Sequence, residues 1–299
     1  MDSICDMHTH TSCSDGELSP VQFVNYVHDQ GVKYISVTDH DNVDFYLNKE
    51  ALNLLNKYKI QYITGCEFVC RVGLHPIEIL GYGIDVNKAK KYLDKHGVPE
   101  EKMRQMRVKE SKKIFKKLGY DITFKDLKRD PVDVIYDEIN LNTQLKESLL
   151  SENPKLLDSP SNLLRQGLND PRCKLFINPR MYFPSYKKII KVIQKKLNGL
   201  AIVAHPYHYG YIMEKILKKC VNANIDGIEC YHYTVNSKEK CNYLLNYAKK
   251  NNLLISGGSD FHKVNDIQSV REKKMIKIPE KIFKTIKSKL EGWANSNNY

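Results

Sequence analysis

The residues best suited to chemistry in this 299-residue chain are histidines and carboxylates: His8, His10, Asp15, His40, Glu67, Glu78, His205, Asp260 and His262. His8 and His10 stand two apart, so an extended backbone points both imidazoles to one side while Met7 and Thr9 face the other. Neutral imidazole nitrogen and carboxylate oxygen together suit borderline-soft divalent ions. That mixed donor set recurs in Asp39-His40-Asp41, Gly65-Cys66-Glu67, Ala204-His205-Pro206 and Ser259-Asp260-Phe261-His262. A lone His-x-His pair is weak evidence, but its combination with these other motifs is strong. So many donors exceed one ordinary site, and three metals, with a carboxylate bridging at least two of them, would use them economically. Around this set, Asp39 lies on the opposite parity from His40 and is placed to orient its neighbours. Glu229 and His232 read as rim groups, and Tyr207-His208-Tyr209 as a polar, aromatic loop at the entrance.

Each donor sits at or near the end of a short apolar segment. Residues 3–8 read as a first strand, and Ser19-Pro20 opens a helix with Phe23, Val24 and Val27 on its buried side. Strands follow over 32–38, delivering His40, over 60–64, delivering Glu67, and over 76–82, carrying Glu78. After Asp85 the pattern is helical over 88–118 with a break at Gly97-Val98-Pro99, and residues 120–180 hold no convincing strand-helix unit. Strands return over 200–204, 225–230 and 253–256, ahead of His205, Glu229 and the segment ending in His262. The alternation predicts an α/β fold, a distorted seven-stranded parallel (β/α) TIM-like barrel with an inserted, mostly helical lid. Residues 1–90 and 186–299 would form the catalytic barrel, and 91–185 the lid or substrate-specificity subdomain. Arg165, Arg172 and Arg180 are the cations there suited to bind phosphate. A basic helix near 280–290 closes the chain, with Trp293 as a packing anchor.

The formal net charge is +12, from 47 Lys+Arg against 35 Asp+Glu, which raises the local concentration of anionic ligands. The lysines are spread along amphipathic helices, and no aromatic-basic recognition module is visible, so a long nucleic acid is not the expected partner. No apolar run reaches the roughly 18 to 20 residues that span a bilayer, and the N-terminus lacks the basic and apolar regions of a signal peptide. The expected location is cytoplasmic. The cysteines are scattered with no short framework and read as thiols.

The motifs DMHTHTSCSDG, VTDHDNV, GCEF, ILGYGID, VAHPY, DGIEC and SGGSDFH resemble those of the PHP (polymerase and histidinol phosphatase) superfamily. The resemblance is narrower still to its stand-alone phosphoesterases related to nucleoside 3',5'-bisphosphate phosphatases. It covers both ends of the chain, while residues 95–185 match poorly. It implies a distorted seven-stranded barrel with metals at the C-terminal edges of the strands. By the resemblance, His8 and His10 join Glu67 and Asp260 around one metal. Glu67 would bridge to a second, held also by His205 and residue 78, and a third would rest on Asp15, His40 and His262. Position 78 departs from the pattern, since many relatives carry histidine where this chain has Glu78. A glutamate there favours a harder ion, so Mn or Fe fits as well as Zn. The Arg-x-His and alanine-rich pattern common in the nearest nucleotide relatives is also absent.

The expected function is metal-dependent hydrolysis of a small phosphate ester, with a hydroxide bridging two of the two or three metals as nucleophile and Asp15 or His205 assisting proton transfer. A small phosphorylated metabolite, such as a nucleoside bisphosphate, is the expected partner, with no obligate protein partner. Histidinol-phosphate hydrolysis, cyclic-phosphate hydrolysis, an amidohydrolase reaction and a noncatalytic metal-stabilised interaction domain are the alternatives.

Overall fold

A computed structural model describes residues 4–97, 100–123, 129–264 and 278–296. β1 (Ile4–Thr9), β2 (Val32–Val37) and β3 (Gln61–Tyr62) form a parallel sheet in that order. The crossover between β1 and β2 is α1 (Pro20–Asp29), whose start follows from its sequence. Ser19 and Gln22 cap each other reciprocally, and Pro20 occupies the first turn. A short 3₁₀ turn and α2 (Lys49–Lys57), capped by Asn48, return the chain to β3.

The second sheet runs β4 (Gly65–Val72), β5 (His75–Tyr82), β6 (Leu200–Val203), β7 (Gly227–Tyr231) and β8 (Leu254–Gly257). β5 and β6 are antiparallel, whereas β6, β7 and β8 are mutually parallel. The mixed α/β class expected from the sequence is present, but the described strands are eight in two sheets rather than seven parallel ones. The difference arises at Gly65–Val72. With Glu67 near its start, this run reads as the polar end of the preceding strand, yet it is a strand of its own. Gly73, at φ +67°, then turns the chain back into β5. Single bridges join the sheets at two places, Thr9 to Phe261 and His40 to Glu67.

Cys5, Met7, Leu80, Leu200 and Ile202 are buried together with Ile282, Phe283 and Ile286 of the C-terminal helix α11 (Glu280–Ser296). Inside that core the Tyr82 hydroxyl donates to the Met7 carbonyl at 2.8 Å and pairs with Ser256 at 2.9 Å, linking β5 to β1 and β8. The remaining helices of this part are α3 (Val86–His96), α8 (Tyr186–Lys191), α9 (Met213–Val221) and α10 (Lys238–Lys250). The Trp293 side chain and the Val98-Pro99 break lie outside the described residues.

By internal packing the chain divides into two units, one comprising Met1–Cys70, Ile77–Gly97 and Pro184–Tyr299, the other Arg71–Pro76 and Val98–Phe183. The second unit contains α4 (Glu100–Lys117), α5 (Pro131–Leu141), α6 (Thr143–Glu152) and α7 (Pro160–Asn162), which runs on into a wider-wound turn at Leu163–Leu168. The Asp130, Asn142 and Ser159 side chains cap α5, α6 and α7, each taking a backbone N–H of the first turn. Phe115, Ile135, Ile139, Leu149, Leu163 and Leu175 give this unit its own apolar core. No helix among the described residues is long and apolar enough to cross a membrane, and none of the eight cysteines is joined in a disulfide.

Candidate metal centre

The candidate donors arrive on different elements of the first unit and meet around Glu67. This glutamate, fully buried near the start of β4, has Oε2 3.1 Å from His8 Nε2, 3.4 Å from His10 Nε2 and 3.3 Å from His40 Nδ1. Its other oxygen lies 3.1 Å from His205 Nε2. Asp260, just past β8, places Oδ1 3.4 Å from His8 Nε2 and 3.1 Å from His10 Nε2. Asp15 Oδ2 stands 3.3 Å from His262 Nε2 and 3.7 Å from His40 Nε2, and its Oδ1 is 3.8 Å from His10 Nδ1. Glu78 Oε2 is 3.1 Å from His205 Nε2.

Donor atoms of His8, His10, Glu67 and Asp260 all lie within 4.8 Å of one another, as do those of His10, Asp15, His40 and His262, and those of His40, Glu67 and Glu78. His205, His208 and Asp260 make a further group. His208 was read from the sequence as part of the entrance loop. The signal that would have marked it is its place three residues after His205 at the head of a 3₁₀ turn, where residues three apart eclipse each other.

The donor set fits divalent ions on a structural criterion. Both ring nitrogens of His10, and Nδ1 of His40 and of His205, are buried without a hydrogen-bond partner among the described residues. Carboxylate oxygens nevertheless stand 3.1–3.8 Å from the His10 nitrogens. Nitrogens and oxygens that converge on shared points without aligned N–H···O geometry are arranged as cation ligands are.

Backbone geometry brings the donors in. His205 and Asp260 both have positive φ, +24° and +56°, at the ends of β6 and β8. Such strain persists where surrounding contacts over-determine it. Gly258 lets the β8 loop lie directly on β1, because a Cβ there would come within 2.2 Å of the His8 Cβ and 2.4 Å of its backbone nitrogen.

Glu229 and His232, read from the sequence as rim groups, are instead buried. Glu229 Oε1 is 3.1 Å from His8 Nδ1, and its Oε2 accepts the His205 backbone N–H at 2.7 Å. In a neutral His8 that contact would favour the proton on Nδ1, leaving Nε2 turned toward Glu67 and Asp260. His232 Nε2 is 3.4 Å from Asp260 Oδ2, and its Nδ1 is 2.8 Å from Thr234 Oγ1.

Without metal, the centre is a lattice of mutually charged pairs. Burial pushes the Glu67 and Asp260 carboxyls up, but the charges of His8 with His40, and of His8 with His262, outweigh it and hold both well below the usual range. Asp15 is likewise held low, burial being overcome by His40 and His262. Burial pushes His10 and His205 down, yet both rise to about 10, His10 through Asp260 and Glu67 and His205 through Glu67 and Glu78. At His232 burial prevails, and the value is lowered.

The three arginines singled out as phosphate binders all lie in the second unit. Arg172 forms a two-point contact with Asp170, Nη2 to Oδ2 at 2.6 Å and Nε to Oδ1 at 3.0 Å. Arg165 and Arg180 are exposed.

Residues 6–255 match the PHP domain family, and the chain belongs to that family. The enzyme class that goes with this membership is metal-dependent phosphoesterase. Among proteins similar in sequence is one named 5'-3' exoribonuclease from Haemophilus influenzae, 25% identical over 262 residues, which cover 86% of this chain and 89% of that protein. Among the solved structures that share the fold are these two. An amidohydrolase from Chromobacterium violaceum superposes with a TM-score of 0.64 at 19% identity, over 92% of this chain and 98% of that one. A protein from Bifidobacterium adolescentis described as a metal-dependent phosphoesterase superposes at 0.62, also 19% identical, over 95% of each chain.

Proposed function

We propose that this chain hydrolyses phosphate esters of small molecules at a centre of two or three divalent ions, Mn, Fe or Zn. The observation that carries the reading is the position of Glu67, whose two oxygens are within 3.4 Å of nitrogens from four histidines on three separate segments of the chain. A carboxylate so placed is suited to bridge ions. His8, His10 and Asp260 would complete one ion's ligands, His205 and Glu78 a second's, and Asp15, His40 and His262 a third's. Bound there, the ions would neutralise nonbridging phosphoryl oxygens and activate water for in-line attack. Asp15, with half its side-chain surface open, is placed to assist proton transfer to solvent. With no ion bound, His205 Nε2 is placed to hold a proton between Glu67 and Glu78.

We read the two sheets as one distorted TIM-like barrel, supported by the bridges at Thr9 and His40. Residues 91–185 are assigned the role of specificity subdomain. Arg165 and Arg180 are the better phosphate candidates within it, since Arg172 is engaged by Asp170.

Among small esters, a nucleoside bisphosphate is the leading substrate, in line with the motif resemblance. A second reading, removal of nucleotides from an RNA end, is favoured by the relative named as an exoribonuclease. The test is to reload metal-stripped protein with Mn, Fe or Zn and measure release from nucleoside 3',5'-bisphosphates, histidinol phosphate, cyclic phosphates, short 5'-phosphorylated RNA and an amide panel. Phosphate release from a small ester is the expected result, whereas shortening of RNA alone selects the second reading. Amide cleavage without phosphate release, or no turnover by protein with confirmed bound metal, overturns the proposal.

A further inference from the structure

Two buried aspartates of the first unit, Asp6 and Asp39, stand outside the donor clusters, and both spend their oxygens on segments that carry a candidate ligand. Asp6, on β1 two residues before His8, accepts the Ser259 backbone N–H at 2.9 Å, the Ser259 hydroxyl at 2.5 Å and the His8 N–H at 3.2 Å. Ser259 immediately precedes Asp260, whose own N–H donates to the His8 carbonyl at 2.8 Å. These contacts hold Asp260 at its left-handed φ of +56°, a conformation disfavoured for a residue with a Cβ. Asp39 does the corresponding work on the other side. Its Oδ1 accepts the Thr11 N–H and the Ser14 hydroxyl, each at 2.7 Å, and its Oδ2 accepts the Thr11 hydroxyl at 2.7 Å. The pinned turn is the one that carries Asp15 toward His10, His40 and His262.

We propose that Asp6 and Asp39 are positioning residues, each setting one ligand carboxylate: Asp6 acts through Ser259 on Asp260, and Asp39 acts through Thr11 and Ser14 on Asp15. The inference rests on the reading of the centre as a metal site. A carboxylate on an untethered turn would lose backbone and rotamer freedom when it captured an ion, whereas on a pinned turn its oxygens already stand in place. The role is geometric rather than electrostatic. An asparagine at either position keeps one oxygen for the backbone N–H and turns an amide N–H toward a hydroxyl, which accepts as readily as it donates. Asparagine therefore preserves the clamp, and alanine removes it.

The experiment titrates metal-stripped, full-length protein with Mn²⁺, reading free ion by electron paramagnetic resonance and folding by thermal melting. Asp39→Ala is expected to weaken the same ions as Asp15→Ala, and Asp6→Ala and Ser259→Ala the same ions as Asp260→Ala, by about 10–100-fold. Asp6→Asn and Asp39→Asn are expected to bind nearly as the unaltered protein does. Wild-type affinity in folded Asp6→Ala and Asp39→Ala, equal weakening of every ion by both, or asparagine variants as impaired as the alanines would overturn the proposal. Should Asp6→Ala not fold, Ser259→Ala removes only a hydroxyl, and unchanged affinity there overturns the Asp6 half. If Asp15→Ala and Asp260→Ala lose ions while the positioning variants do not, only this inference falls. An unaltered protein that takes up no Mn²⁺ overturns the metal reading and this inference with it.

Discussion

At the scale of single residues, the centre is defined by how buried charges share partners. His8 is the clearest case, held between Glu229 on Nδ1 and Glu67 and Asp260 on Nε2, so that the ring has one orientation with Nε2 facing the other donors. Glu229→Ala should lower metal affinity by about 10–100-fold while leaving the residues of the clusters in place, measured by competition with a chromophoric chelator. The proton balance makes a second prediction. In metal-free protein the raised His10 and His205 values mean that their contribution to stability is fully present below about pH 6.5 and is lost as pH rises through about 10. The lowered Glu67, Asp260 and Asp15 work in the opposite sense, contributing above their ordinary carboxylate range and losing that contribution as pH falls. Metal needs the neutral imidazoles, so uptake at pH 7 should release protons, and affinity should fall with pH. Calorimetric titrations in two buffers of different ionisation enthalpy would show this as a difference in heat, and identical heats would refute it.

At the scale of elements, the donors depend on where strands stop. The loop after β8 crosses β1 so closely that position 258 has no room for a side chain. Gly258→Ala should force the loop away from His8, cost about 1–3 kcal/mol of stability as an overpacked contact does, and reduce bound metal. A chemical denaturation curve with a parallel metal analysis tests it, and a variant with wild-type stability and metal content would show that the loop can shift without consequence. The β4–β5 hairpin has a similar importance, because it carries Glu67 on one strand and Glu78 on the other.

At the scale of the whole molecule, ligands drawn from both ends of the chain make metal and folding mutually dependent. An ion that binds only the folded chain stabilises it by mass action, about 2.7 kcal/mol per site at a free concentration 100 times the dissociation constant. Removing metal with a chelator should therefore lower the melting temperature, and restoring the ion should return it. A melting temperature indifferent to chelator would mean that the clusters hold no ion in solution. The second unit has its own apolar core, so its melting is expected to respond less to chelator than that of the first.

The spacing of His8 and His10, the recurrence of His, Asp and Glu at strand ends, and the helix signals at Ser19 and Pro20 were all readable without coordinates. They express local rules: side-chain alternation along an extended backbone, ligand chemistry and capping. Three-dimensional packing decided the rest. Gly65–Val72 became a separate strand because it found neighbours on the sheet, which no periodicity in those few residues announces. Glu229 and His232 moved from the expected rim to the interior because burial depends on what packs above a strand end. His208 joined His205 and Asp260 through a turn whose direction is set by contacts distant in sequence. Residue type and spacing determine which groups can act as donors, but the distances among them are properties of the folded chain alone.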